Sequence, residues 1–419
     1  MSEKVARERF IRISRRNNIR GWEKVVATAS AIVFAFLICA LISTIVAPGS
    51  FGDFFIYVYQ GTFYTPRIIL TLFWQTAILF IIAVALTPVF KMRYWNIGAE
   101  GQCLMGVLGA VIGLYFIAPH VPLIIALFIE IGLAIVFAIV WAVIPAIFKA
   151  FLNTNETLFT LMMNYIAYGI VSAFVMANAN TSSGIIAPLN EATQAGWLPV
   201  FSYFNNSYIV NIIIVVVVAA IVWVYLRFSK HGYELSVIGG SQNTARYVGI
   251  NVRKVIIRTV ILTGAVCGVA GFLIAAGAAH TIGEGSIGGK GFTAILICWI
   301  SDFNIPLMAF YSFLISFVSV GSNNAAGWLE YPRAVSYIST AIFFIVLIAS
   351  SFFLNFKMSF PAIKRLFRKI ADLFKNWIIP FFKVVGKLVA RGFKYIIAAI
   401  SKEKKKESIE NKDGKEEGK

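Results

Sequence analysis

Apolar residues in this chain do not alternate with polar ones; they come in unbroken runs. Stretches such as Val25–Ile45, Ile68–Val89 and Ala334–Leu354 carry no charged side chain. Each is about the 20 residues that a helix needs to cross the hydrocarbon of a bilayer. Membrane-spanning strands would alternate so as to line a polar lumen, so continuous runs predict helices. Ten segments are predicted, at 25–47, 67–90, 103–118, 122–148, 157–178, 207–227, 257–280, 291–300, 305–321 and 334–354. The eighth is too short to cross alone and is expected to be a half-helix or part of a broken one.

Composition agrees with this picture. The chain is 59% hydrophobic and 13% charged, with a mean hydropathy of +0.80, more apolar surface than a soluble fold of this mass can hide. The net charge of +18 sits mainly in the tails. Residues 1–24 hold eight Lys/Arg against three acids and residues 357–419 hold seventeen against seven, contributing +5 and +10 and leaving about +3 for the rest. Such a distribution excludes nucleic acid as the partner behind the high charge. It fits flanks that set orientation and touch the anionic headgroups of a lipid bilayer.

Two basic tails place both termini in the cytoplasm, which requires an even number of crossings, and ten satisfies it. Loop 179–206 then falls outside and contains no Lys or Arg. Loop 228–256 falls inside and carries Lys230, Arg246, Arg253 and Lys254. The expected organisation is a basic leader over 1–24, a transmembrane domain over 25–355, a basic amphipathic interfacial helix over 356–400 and a disordered charged tail over 401–419. In the third region Leu366, Ile370, Leu373, Trp377 and Phe381 form an apolar stripe opposite Lys and Arg, with a kink expected at Pro380. No cleavable signal segment is expected, because the first apolar run follows a 24-residue charged leader and is too long. Cys39, Cys103, Cys267 and Cys298 show no paired spacing, so free thiols are expected, with no disulfide and no metal site.

One internal repeat stands out. Ile97-Gly98-Ala99-Glu100-Gly101-Gln102 matches Ile287-Gly288-Gly289-Lys290-Gly291-Phe292, 190 residues later, and each copy opens a short apolar segment. The predicted topology runs the two segments in opposite directions. Inverted repeats with glycine-broken helices are a recurrent transporter design, since unwound backbone is tolerated at membrane depth only where it lines a cavity or is buried in protein.

The first copy puts Asn96, Glu100 and Gln102 at the mouth of an apolar helix. A carboxylate there either faces a water-filled path or sits at a helix N-terminus for the dipole. Asn153 and Glu156 have capping-box spacing at the start of the fifth span. Thr157, Thr160 and Asn164 follow at i, i+3 and i+7. That stripe serves either helix–helix hydrogen bonding or a pore. Gly283–Gly291 imitates a phosphate loop, but Glu284 and Gly291 stand where the motif needs Gly and Ser or Thr. No nucleotide site is therefore expected on this chain, and no catalytic residue.

Asn-Ile-Gly-Ala-Glu-Gly-Gln at 96–102 and Asn-Glu-Thr-Leu-Phe-Thr-Leu-Met-Met-Asn-Tyr at 155–165 together resemble the permeases of ABC importers for nucleosides and simple sugars. The branch is the one paired with basic-membrane-protein-type binding lipoproteins, and the similarity covers roughly residues 25–355. The resemblance implies an all-α integral membrane fold in a bacterial cell membrane. It also implies two ATP-binding subunits that hold ATP and Mg, a second permease subunit forming a heterodimer, and an extracellular substrate-binding lipoprotein.

Segment 231–250 is polar and basic, with a short helix expected over Gln242–Val248. It resembles the family's coupling region, so Gln242, Asn243, Arg246 and Gly249 are expected to meet the ATPase. The substrate pathway is expected to use Asn96, Glu100, Gln102, Thr157, Thr160, Asn164 and Lys290. Lys290 departs from the family's aromatic-acidic pattern after the glycines; it either meets an anionic substrate group or pairs with Glu284, the latter slightly favoured. A nucleoside is the first choice of cargo, with Trp95, Phe159 and Tyr165 available for stacking. A sugar and a riboflavin-type vitamin stay open. The rivals from other classes are an ion-driven secondary transporter and a non-transporting membrane anchor or assembly subunit.

Overall fold

A computed structural model of the chain describes residues 12–16, 20–46, 51–179, 186–200 and 208–359. The helices are α1 (Gly21–Val46), α2 (Phe51–Phe63), α3 (Pro66–Lys91), α4 (Ala99–Phe116), α5 (Leu123–Leu152), α6 (Glu156–Asn178) and α7 (Tyr208–Phe228). They continue with α8 (Lys230–Gly240), α9 (Gln242–Tyr247), α10 (Val252–Ile274), α11 (Lys290–Ile300), α12 (Ile305–Trp328) and α13 (Ala334–Asn355). Among the described residues nine helices are long and apolar enough to cross a membrane. The tenth predicted segment is α11, whose 11 residues span roughly 16 Å at 1.5 Å per residue, about half a bilayer core.

The chain divides into two compact units. In the unit formed by residues 1–24 and 352–419, strands β1 (Arg12–Arg15) and β2 (Phe356–Ser359) pair antiparallel, with Arg12 opposite Ser359. The interfacial helix expected from residue 356 therefore begins as strand. Its remaining residues, 360–400, and the charged tail lie outside the described residues, as does most of the leader.

In the unit over 25–351, α4 and α10 are the innermost helices; 78% and 83% of their most apolar windows are buried, against 22% for α5. Close approach replaces large side chains here. A Cβ on Gly271 would lie 2.5 Å from the backbone carbon of Gly106, the small-residue crossing that membrane helices use. The outward helix faces carry exposed Leu, Ile, Val and Phe.

Besides the two strands, two helices were not anticipated. Helix α2 fills the loop between the first two predicted spans and packs on α12, where Asn324 Nδ2 donates to the Gly61 carbonyl at 2.6 Å. Segment 228–256 holds two helices, α8 and α9, in place of one. The capping residues also differ from expectation. Asn153 closes α5 in the left-handed region at φ 51°, and Asn155 caps α6, its Oδ1 accepting from the Thr157 and Leu158 amides. Glu156 pairs with Lys149 at 2.8 Å.

Candidate functional site

The two repeat copies meet. Glu100 is fully buried in the first turn of α4, and its carboxylate reaches the start of α11. Its Oε1 accepts from the Gly289 amide at 2.7 Å and Oε2 from the Gly291 amide at 2.6 Å. Tyr168 Oη donates to Oε1 at 3.4 Å. One carboxylate thus serves the positive ends of two helices, its own and α11. A Cβ on Gly291 would lie 2.5 Å from the Glu100 amide nitrogen, so only glycine lets the two helix starts come this close. Two N-termini that touch lie at one level, which is how a broken-helix pair is built.

Helix α6 clamps this junction from the side. Thr160 Oγ1 accepts from the Ile97 amide at 3.1 Å, Asn164 Oδ1 accepts from the Gly101 amide at 2.9 Å, and Asn164 Nδ2 donates to the Ile97 carbonyl at 3.0 Å. A Cβ on Gly101 would lie 2.8 Å from Asn164 Oδ1. Asn96 and Gln102 exchange amide bonds at 3.3 Å, and Asn96 Oδ1 also accepts from the Gly98 amide. Asn96, Glu100, Gln102, Thr160 and Asn164 are all buried and satisfied within the helix junction. Thr157 is half-buried one turn away, its carbonyl accepting from Thr160 Oγ1.

Lys290 is placed otherwise. Its Nζ donates to the Ile287 carbonyl at 3.0 Å, not to Glu284. It also lines a cavity of ≈ 500 Å³ walled by α3, α11, α12 and α13. Gln75 and Leu79 contribute from α3, Ser316, Ser319 and Asn323 from α12, and Tyr337 and Thr340 from α13. No motif reasoning had singled out these residues. Their signal was polar positions inside otherwise apolar helices. Trp95 stacks on Trp299 at 4.9 Å and Phe159 packs on Phe148 at 5.0 Å, and neither ring lines this cavity.

The third feature is the α8–α9 segment. Gln242, Asn243, Arg246 and Gly249 are exposed, and Gly249 takes the left-handed conformation at φ 78°. Tyr247 is 92% exposed and Val248 61%, two apolar groups that sequence reasoning left out. Behind this surface α8 is fixed to the long helices. His231 is buried between the Tyr225 hydroxyl at 3.0 Å and Thr259 Oγ1 at 2.9 Å. Glu234 pairs with Arg258 of α10, and a Cβ on Gly239 would collide with the Lys91 carbonyl of α3. Burial, reinforced by the Arg258 charge, holds the His231 imidazole down at about 4, so it is neutral near pH 7.

Residues 68–350 match the family described as the branched-chain amino acid transport system permease component, and the chain belongs to that family. It is 26% identical over 283 residues to the guanosine ABC transporter permease protein NupP of Bacillus subtilis, covering 66% of this chain and 79% of that one. It is 24% identical over 340 residues to the nucleoside ABC transporter permease protein NupB of Lactococcus lactis, covering 77% and 90%. The glucose ABC transporter permease protein TsgB13 of Haloferax volcanii is 24% identical over 281 residues, covering 64% and 72%. The chain is thus a multi-pass membrane protein and a permease subunit. Permeases of this kind work with ATP-binding partners and a substrate-binding protein.

Proposed function

We propose that this chain forms half of the pore of an ABC importer for nucleosides, with simple sugars as the second cargo class. It resides in a bacterial plasma membrane with both termini in the cytoplasm and with α11 completing ten crossings. Two ATPase subunits hold ATP and Mg and hydrolyse the nucleotide. A second, non-identical permease completes the pore, and an external lipoprotein delivers cargo. The observation that carries this reading is the α8–α9 segment. It lies outside the nine long apolar helices, exposes Gln242–Gly249, and is tied at its back to α3 and α10. A partner gripping Arg246 and Tyr247 would pull on α3, one wall of the Lys290 cavity. The cargo rests on the relatives named for guanosine, nucleosides and glucose.

The test is purification of the tagged full chain from its native membrane, with and without Arg246→Ala and Gly249→Val, followed by ATP-dependent uptake of tritiated guanosine in vesicles. Co-purifying ATPase that is lost in both variants, together with uptake by the unaltered complex, is the expected result. A chain that brings down no ATPase under any condition, or that accumulates guanosine on an ion gradient without ATP, sinks the reading in favour of a secondary transporter.

A further inference from the structure

Building on the importer reading, we infer that the cavity beside Lys290 is a cargo site that takes an uncharged, hydroxyl-rich molecule and rejects phosphorylated and amino-acid ligands. The argument begins with charge. Among the described residues lining the cavity, Lys290 is the only cation and there is no Asp or Glu. Glu100 reaches the same turn, and both of its oxygens are committed to the amides on either side of Lys290. The cation and this fixed carboxylate balance each other across the first turn of α11.

A phosphate monoester would bring nearly two negative charges to a site whose one cation is already balanced, leaving charge uncompensated in a low-dielectric setting. An α-amino acid would bring its carboxylate to the same offset cation and would find no acid lining the cavity for its ammonium group. A nucleoside or free sugar needs neither. Lys290 has three donors, of which one goes to the Ile287 carbonyl, so hydroxyl or carbonyl oxygens can accept from the others. Ser319, Asn323 and Gln75 supply donors and acceptors, while Leu79 and Val320 offer an apolar wall. The volume of ≈ 500 Å³ is within the range that small-molecule sites occupy.

The test uses cysteine scanning of the full chain in vesicles of its native membrane. All four native cysteines are buried, so Ser319→Cys and Thr340→Cys, on two different helices, report the cavity. A small uncharged methanethiosulfonate is applied, and labelling is read position by position by mass spectrometry. Both positions are expected to label, and saturating guanosine or glucose abolishes labelling while leucine and guanosine monophosphate leave it unchanged. Whichever of guanosine and glucose protects at the lower concentration identifies the preferred cargo. Adding Lys290→Gln raises the half-protecting concentration about tenfold, the loss of one charge-assisted hydrogen bond.

Absence of labelling at both positions, or labelling that neither uncharged ligand slows, overturns the site. Protection by leucine or guanosine monophosphate overturns the cargo class, and an unchanged half-protecting concentration in Lys290→Gln removes that residue's role. The labelling needs no ATP turnover, so failure here is distinct from failure of the importer reading, which shows as absent ATPase or absent ATP-dependent uptake.

Discussion

Removal of the Glu100 carboxylate is the sharpest perturbation of the helix junction. In Glu100→Ala the amides of Gly289 and Gly291, which now donate at 2.7 and 2.6 Å, lose their acceptor at a fully buried position. An orphaned buried donor costs about 1–3 kcal/mol, so two cost roughly 4 kcal/mol. Glu100→Gln keeps the volume and one acceptor oxygen, but its NH2 group faces the second amide, and about half that cost is expected. At a few degrees per kcal/mol, the apparent Tm of the detergent-purified chain should fall by roughly 5–10 °C for the alanine and about half as much for the glutamine. Intrinsic-fluorescence melting of the three proteins side by side measures this. If Glu100→Ala melts within a degree of the unaltered chain yet loses uptake, the carboxylate serves the cargo path and not the framework, and the argument from its hydrogen bonds fails.

Gly101→Ala forces a Cβ to 2.8 Å from Asn164 Oδ1 and should destabilise by about 1–3 kcal/mol. Gly132→Ala, with nothing within 4 Å, should be neutral, and equal melting of the two variants would refute the close-approach account. Tyr247→Ala should weaken retention of the ATPase about thirtyfold, as loss of an interfacial aromatic anchor does, read by pull-down against increasing wash volume; unchanged retention rejects Tyr247 as an anchor. The His231 imidazole titrates at about 4 in the folded chain against an ordinary value near 6.5, so the unfolded state binds more protons between these values. Its stabilising contribution is therefore complete above pH 6.5 and is lost as the pH falls towards 4. His231→Gln should flatten the decline of apparent Tm over that window, and an undiminished slope would show that other groups cause it.

Long, charge-free runs made α1, α3, α7 and α13 legible, because membrane length and hydropathy fix such helices without knowledge of their neighbours. Helix α2 was not, since its 13 residues fall short of a span and its place depends on a glycine contact with α12, where a Cβ on Gly61 would meet the Gly321 carbonyl at 2.9 Å. The repeat at Ile97 and Ile287 pointed to the right pair of turns, but not to the contact between them. That contact is tertiary: Glu100 finds its acceptor role only once α11 is beside α4. For the stripe on α6 the sequence allowed helix bonding or pore lining, and Asn164 and Thr160 bond the backbone of α4. The cavity walls were the least legible part, because Gln75, Ser319, Asn323 and Thr340 lie on three different helices and converge only in the fold.

Glu100 and Lys290 show why a charge found in a membrane segment does not by itself mark the path of a substrate. They occupy equivalent places in neighbouring copies of one motif, Glu100 three residues after Ile97 and Lys290 three residues after Ile287. Glu100 is turned into the junction, where the start of α11 would otherwise present bare amides to protein interior. Satisfying them allows an 11-residue helix to end within the membrane-spanning body. The Lys290 side chain leaves the same turn on the side of the cavity, where its Nζ donates to the Ile287 carbonyl. The acid holds the broken helix in place, and of the pair only the cation lines the cavity inferred to take cargo.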